Sequence, residues 1–189
     1  MIGMEDALNP IRRVRKDTDV VVTTMSAAKV WIDTGPLHPL DFVFVPSCMG
    51  HATSQALGIA LAQPERRVIV CNGDGSMLMS LGSLVTIAAE APPNLTVIIM
   101  DNGIYEVTGG QPVPHRPDFV GLAKASGISN VFPFDKSSDW SGEAEKLIGL
   151  NRTTVIVLEI EPQPDRPAPK SPGPAAARAT ALRAALTSR

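Results

Sequence analysis

Residues 67–76 read RVIVCNGDGS, and this stretch decides the fold class of the chain. The run from Arg67 to Cys71 is apolar and rich in β-branched residues, as expected for a buried strand. Gly73-Asp74-Gly75 follows at once, and its two glycines let the backbone turn sharply. In α/β sheets, ligands bind in the loops beyond the carboxyl ends of such strands.

On both sides of this stretch, predicted strands alternate with predicted helices. Strands are predicted at 19–24, 41–45, 67–71, 95–100, 131–134 and 153–160, and helices at 26–32, 50–61, 78–91, 119–126 and 143–150. Ser26 is a candidate N-cap of the first of these helices. Because the strands are apolar throughout, we expect a doubly wound α/β fold: a mostly parallel sheet with helices on both faces.

Three segments are predicted along the chain. Residues 1–18 form a polar, irregular N-terminal arm, whose basic run of Arg12, Arg13, Arg15 and Lys16 is interpreted as a solvated helix face or arm. Residues 19–161 form the α/β domain. Residues 162–189 form a proline-rich connector and an alanine-rich helix over 175–186, which either docks on the domain or a partner, or frays.

Composition bounds the function. The chain has 189 residues, of which 44% are hydrophobic and 19% charged, so it is globular rather than disordered. A net charge of −2 predicts neither nucleic-acid nor membrane-surface binding. Cys48 and Cys71 are predicted to be buried free thiols, with no zinc motif. With no signal peptide and no apolar stretch of spanning length, the cytoplasm is the expected location.

Asp74 is the first candidate metal ligand. The glycines beside it let the backbone approach a ligand, and the start of the following helix suits a phosphate. A carboxylate beside a phosphate implies a cation between them, and Mg²⁺ takes such oxygen ligands. A Gly-Asp-Gly sequence alone is weak evidence, because Asp-Gly occurs in many ordinary turns.

Asp101-Asn102 strengthens the metal-site prediction. It follows the next apolar strand, with 25 residues between Gly75 and Asp101, which is room for a helix and a strand. A right-handed crossover then brings both loops to the same edge of the sheet. Asp74 and Asn102 would face one cation, together with a backbone carbonyl near Ile104.

These residues resemble the motif of thiamine diphosphate (ThDP) enzymes, in which Gly-Asp-Gly is followed some 25–30 residues later by Asn-Asn, as expected for a helix and strand between two loops. Here Asp101 stands where that family often has the first Asn, while the ligand position, Asn102, is kept. The segments SCMGHA, SQALGIALA, RRVIVCNGDGS and DNGIYEVTGGQP resemble phosphonopyruvate decarboxylases and the β chains of sulfopyruvate decarboxylases. The resemblance runs from about residue 19 to residue 160.

The resemblance implies roles for individual residues. Asp74, the Asn102 side chain and the Ile104 carbonyl would bind Mg²⁺, and Met49 would be an apolar wedge under ThDP. The cofactor-binding residues implied are Ser47, Cys48, Met49, Gly50, Gly73, Asp74, Gly75, Ser76, Asn102, Ile104 and Tyr105. His51 would lie close to the cofactor, although it is equally interpreted as a structural histidine.

Thr108, Gln111 and their glycines correspond to a family segment that borders the substrate. Their hydroxyl and amide groups are candidates for binding a 2-oxo acid, and a glycine-rich surface turn is the alternative. With His51, Thr108 and Gln111 are therefore the predicted catalytic residues. His115 and Arg116 are weaker candidates for contacting an anionic substrate, because charged loop residues are usually only solvated.

A pyrimidine-binding domain, on which this family carries the glutamate that activates the cofactor, has no recognisable counterpart in the sequence. The resemblance therefore implies a separate pyrimidine-binding partner chain and an α/β hetero-oligomer. Such an assembly would decarboxylate a small, anionic 2-oxo acid to an aldehyde and CO₂. The alternatives are a carboligase of the acetolactate synthase type, a cofactor-holding or regulatory subunit without turnover, and an α/β domain that binds another Mg-phosphate ligand.

Overall fold

The computed structural model describes residues 1–44, 49–163 and 172–187. Its strands are β1 (Val20–Thr24), β2 (Asp41–Phe44), β3 (Val68–Gly73), β4 (Leu95–Asp101), β5 (Ile104–Tyr105), β6 (Gln111–Pro112), β7 (Asn130–Phe134) and β8 (Thr154–Glu159). Its helices are α1 (Met4–Val14), α2 (Met25–Asp33), α3 (Ala52–Ala62), α4 (Asp74–Met79), α5 (Ser83–Glu90), α6 (Phe119–Ala125), α7 (Ser137–Ile148) and α8 (Ala175–Thr187), with a short 3₁₀ helix at Glu106–Thr108.

Six strands form one sheet in the order β2-β1-β3-β4-β8-β7, and all neighbours in it are parallel. From β1 the chain passes first to β2 on one side and then to β3 on the other. That reversal opens a crevice beyond the carboxyl ends of β1 and β3, which is where such sheets bind ligands.

Helices cover both faces of the sheet. Successive residues of a strand point to opposite faces, so Val20 and Val22 lie in one core cluster and Val21 in the other. The first cluster includes buried residues of α3, α5, α6 and α8, and the second those of α1, α2 and α7. The predicted doubly wound α/β fold is therefore confirmed.

The prediction that the N-terminal residues are irregular is wrong. Helix α1 buries Met4, Leu8 and Ile11, which lie on one helical face and contact the second core cluster. Trp140 of α7 donates its indole N–H to the carbonyl of Ala7 over 2.9 Å. The density of charged residues hid this narrow apolar stripe.

The basic run of α1 is also more than a solvated surface. The Arg12 guanidinium lies 4.0 Å from the centre of the Trp31 ring and donates to the Trp31 carbonyl over 2.6 Å. Arg15 pairs with Asp41, whose side chain is fully buried. These contacts attach α1 to α2 and to the start of β2.

Several helix boundaries differ from the prediction, and α7 begins at Ser137 rather than at residue 143. The region predicted as one helix over 78–91 is divided into α4, which begins at Asp74 itself, and α5. Ser80 and Gly82 interrupt it, since neither residue favours a helix interior. Ser26 lies inside α2 rather than capping it, and Thr24 occupies the N-cap position.

Helix α8 docks on the domain, one of the outcomes expected for it. Leu182 is buried in the first core cluster, and Arg178 donates to the backbone carbonyl of Val43 on the edge strand β2. At the opposite edge, β7 contains Pro133, which has no N–H to offer another strand. Residue 45 of the predicted second strand and residues 164–171 of the connector lie outside the described residues.

Cys71 is buried and free, as predicted, and burial raises the pKa of its thiol. Cys48 lies outside the described residues. Across 1–44, 49–163 and 172–187, no helix combines the length and apolar character needed to cross a bilayer.

Candidate active site

The loops after β1, β3 and β4 meet at the carboxyl edge of the sheet and line a narrow, partly open cleft. We call this the strand-end cleft. Its walls are Met4, Thr24, Met25, Ser26, Ala27, Met49, Gly73, Asp74, Gly75, Ser76, Met100, Asn102, Ile104, Tyr105, Glu106, Val107 and Ile160. The two loops that the sequence predicted to converge, after Cys71 and after Met100, therefore do so.

Asp74 is a buried acid at the start of α4, with 2% of its surface exposed. Its Oδ1 accepts from the N–H of Gly75 and its Oδ2 from the N–H of Gly103, each over 2.7 Å. Burial and, to a lesser extent, the neighbouring Asp101 raise the pKa of Asp74 to about 7, while the two backbone hydrogen bonds lower it. The bond to Gly103 joins the loops after β3 and β4.

Asp101 adds a second acid at the same place. Among the described residues no donor reaches its buried Oδ1, while its Oδ2 lies 3.4 Å from Nε of Arg116. Arg116 also pairs with Glu159, with Nη2 3.2 Å from Oε1, so its guanidinium is occupied by two carboxylates of this chain. Its predicted contact with an anionic substrate stays a prediction, as does that of His115.

Asn102 and Ile104 complete the predicted metal ligands. Both line the strand-end cleft, and Oδ1 of Asn102 accepts from the Ile104 N–H over 3.0 Å. A carboxylate, an amide oxygen and a backbone carbonyl form the all-oxygen set that Mg²⁺ takes. The raised pKa of Asp74 and the unpaired Oδ1 of Asp101 are both features that a cation would relieve, so these residues fit the ion.

Gly75 brings the backbone against an aromatic ring. A Cβ at this position would lie 2.5 Å from Cδ1 of Tyr105 and 3.4 Å from Cε of Met49. Only glycine allows this approach, which places Tyr105 and Met49 side by side in the wall of the cleft. Met49 thus lines the cleft, and its predicted role as an apolar wedge under the cofactor stays a prediction.

Ser76 and Gly50 are tied to each other. The N–H of Gly50 donates to Oγ of Ser76 over 2.9 Å, in a buried setting. The serine hydroxyl therefore holds the loop before α3, and the N–H groups around Gly75 remain the candidates for a diphosphate. Ser47 and Cys48 lie outside the described residues.

The predicted catalytic side chains lie away from the cleft walls. His51 is exposed at the start of α3, with Nδ1 3.1 Å from the carbonyl oxygen of Met49. Thr108 and Gln111 are exposed on the β5–β6 hairpin, where Nε2 of Gln111 donates to the Thr108 carbonyl over 3.0 Å. Their roles stay predictions.

Several cleft residues were not anticipated, among them Met25, Ser26 and Glu106. Met25 has φ of 59°, a left-handed conformation that is strained for a residue with a long side chain. Glu106 accepts from the Ser26 hydroxyl through Oε2 and from the Gln163 N–H through Oε1. Met25 and Ser26 follow the end of β1, where the strand order reverses. Because ligands bind at such reversals, the topology could have identified these two residues as part of the site.

Relatives of the chain include two decarboxylases. A phosphonopyruvate decarboxylase of Streptomyces viridochromogenes is 35% identical over 152 residues, which cover 78% of this chain and 36% of the relative. The sulfopyruvate decarboxylase subunit beta of Methanothermobacter thermautotrophicus is 57% identical over 73 residues, covering 39% of this chain and 38% of the relative. The chain thus spans little more than a third of each relative's length.

A solved structure supports the same fold. The thiamine diphosphate-dependent 4-hydroxybenzoylformate decarboxylase of Rhodococcus jostii RHA1 superposes with a TM-score of 0.75 at 22% identity, covering 86% of this chain and 33% of that one. Residues 19–159 match the family described as thiamine pyrophosphate enzyme, C-terminal TPP binding domain. That match covers most of the sequence, and the chain belongs to this family of thiamine pyrophosphate enzymes.

Proposed function

We propose that this chain is the Mg²⁺- and diphosphate-binding subunit of a ThDP-dependent decarboxylase that acts on a small, anionic 2-oxo acid. The observation that carries the proposal is the buried carboxylate of Asp74, joined through Gly103 to the loop that bears Asn102. A phosphonopyruvate decarboxylase and a sulfopyruvate decarboxylase subunit beta among the relatives support the substrate class.

Asp74, Asn102 and the carbonyl of Ile104 would bind Mg²⁺, and the ion would hold the diphosphate at the ends of β3 and β4. Bound ThDP supplies the electron sink that lets a 2-oxo acid lose CO₂. Met49 and Tyr105 line the cleft beside Gly75 and would shield this side of the bound cofactor from water. The products would be CO₂ and an aldehyde.

A pyrimidine-binding partner chain with an activating glutamate completes the proposed enzyme, in an α/β hetero-oligomer in the cytoplasm. The word "beta" in the Methanothermobacter relative's name supports a second type of subunit. His51, Thr108 and Gln111 remain the candidates for contacting the substrate.

Cofactor binding is tested first, by thermal unfolding. ThDP with Mg²⁺ at about a hundred times its dissociation constant should stabilise the chain by about 3 kcal/mol, and ATP with Mg²⁺ should stabilise it far less. Asn102→Ala should abolish the difference while the Tm without ligand stays close to that of the unmodified chain. Equal shifts for ThDP and ATP would contradict the proposal.

Activity is tested on the chain together with the partner that copurifies with it. Phosphonopyruvate and sulfopyruvate are each supplied with Mg²⁺ and ThDP, and CO₂ and aldehyde are measured. Aldehyde formed in proportion to CO₂ supports a decarboxylase. A 2-hydroxy ketone formed with an added acceptor aldehyde indicates the carboligase, and no turnover indicates a cofactor-holding subunit.

A further inference from the structure

Glu106 lies in the wall of the strand-end cleft and is not one of the proposed Mg²⁺ ligands. It is half-buried on the 3₁₀ turn after β5, and both of its carboxylate oxygens accept hydrogen bonds from this chain. Oε2 accepts from the hydroxyl of Ser26, which is 80 residues away, and Oε1 from the backbone N–H of Gln163, 57 residues away. One side chain therefore connects the segments that follow β1, β5 and β8.

The turn that Glu106 holds after β1 is strained. Met25, directly before Ser26, is in the left-handed region with φ of 59°. Such a conformation costs on the order of 1 kcal/mol or more and persists only where surrounding contacts enforce it. Thr24 adds a fully buried hydroxyl in the cleft wall that has no hydrogen-bond partner among the described residues.

The segment after β8 is held at the same place. Ile160 lines the cleft, and its N–H donates to the carbonyl of Asp101 over 2.9 Å. Gln163 lies three residues later, and its N–H donates to Glu106. Glu106 thus holds the start of the proline-rich connector beside the metal-binding loop.

We propose that Glu106 is a positioning residue for cofactor binding, holding the Thr24–Ser26 turn and the segment at Gln163 in the shape that Mg²⁺ and ThDP require. This inference rests on the proposed function. A carboxylate with both oxygens engaged is a stronger acceptor than a neutral group, because charge-assisted hydrogen bonds are about twice as strong. Its two donors come from distant loops, so removing it releases both.

Three variants of the full chain, with its copurified partner, test this role. Glu106→Ala removes both acceptors. Glu106→Gln keeps the length, accepts from Gln163 through its amide oxygen and donates to the Ser26 hydroxyl through its amide nitrogen. Glu145→Ala removes an exposed glutamate of α7 and is the matched control.

The first readout is hydrogen–deuterium exchange without cofactor. Glu106→Ala should speed exchange in peptides covering residues 24–27 and 160–163, while Glu106→Gln and Glu145→Ala leave them near the unmodified rate. Exchange in those peptides that is unchanged by Glu106→Ala overturns the inference whether or not ThDP binds.

The second readout is the affinity for Mg²⁺ and ThDP by calorimetry. Glu106→Ala should raise the dissociation constant at least about tenfold, and Glu106→Gln should restore it to within about threefold. Ser26→Ala should weaken binding less in the Glu106→Ala background than alone, since the shared contact is already lost. If Glu106→Ala and the unmodified protein bind ThDP with equal affinity, the positioning role of Glu106 is overturned while the proposed function stands.

Two further outcomes are distinguishable from these. If the unmodified protein binds no ThDP, the proposed function is contradicted, and the role of Glu106 in cofactor binding is contradicted as well. Loss of kcat in Glu106→Gln at saturating ThDP, with affinity kept, assigns proton transfer to Glu106 and overturns the positioning role.

Discussion

Asp74 should make the metal-free chain less stable as the pH rises. Burial raises its pKa from 3.8 to about 7 in the folded chain. The folded state therefore binds a proton that the unfolded state releases, and this stabilisation is present in acid and lost as the pH rises through about 7. Over the range from about pH 5 to about pH 8 the loss amounts to about 2–3 kcal/mol.

The perturbation that isolates this effect is Asp74→Asn. The amide has the shape of the acid and no charge, so the contribution of Asp74 to the pH dependence disappears. It also replaces one acceptor by a donor facing the Gly75 or Gly103 N–H, which costs about 1–3 kcal/mol at every pH. The absolute stabilities differ for that reason, and only the change of their difference with pH reports on the titration.

Urea denaturation with EDTA, at intervals between about pH 5 and about pH 8, measures both free energies of unfolding. The stability of the unmodified chain relative to Asp74→Asn should fall by about 2–3 kcal/mol across this range. Mg²⁺ should then stabilise the unmodified chain more at the higher pH, where the ligand is ionised. A difference between the two proteins that does not change with pH would refute the reasoning.

Two substitutions test packing and charge. Gly75→Ala should destabilise the chain by about 1–3 kcal/mol, because its Cβ would lie 2.5 Å from the Tyr105 ring. Urea denaturation should show a much smaller cost in a Tyr105→Ala background, and an equal cost there would contradict the clash. Arg67→Ala should cost about 3–5 kcal/mol, because it leaves Asp19, 1% exposed, without its ion-pair partner. A change below about 1 kcal/mol in the same assay would show that water compensates Asp19.

Local sequence signals account for the sheet. The apolar runs at 95–100 and 153–160 became β4 and β8 to within one residue at each end, because strands buried on both faces leave no room for polar residues. Chain order and right-handed crossovers then place the ends of β3 and β4 side by side. This is why Asp74 and Asn102 were predicted to converge without any structural information.

Long-range contacts account for what the sequence did not reveal. Helix α1 is predictable only if its apolar stripe of Met4, Leu8 and Ile11 is given more weight than its charges. Glu106 bonds to residues 80 and 57 positions away, and nothing in the local sequence of either partner indicates the contact. These hydrogen bonds depend on how three separate loops are placed in space, and the spacing of residues along the chain does not specify that placement.

Each edge of the six-stranded sheet carries a feature that hinders pairing with a further strand. Arg178 and Leu182 of α8 pack against β2, and Pro133 leaves β7 with one backbone donor fewer. These features disfavour extension of the sheet by a strand of a second polypeptide. Deleting residues 172–187 would expose the edge strand β2. Copies of the chain would then pair through this edge and aggregate.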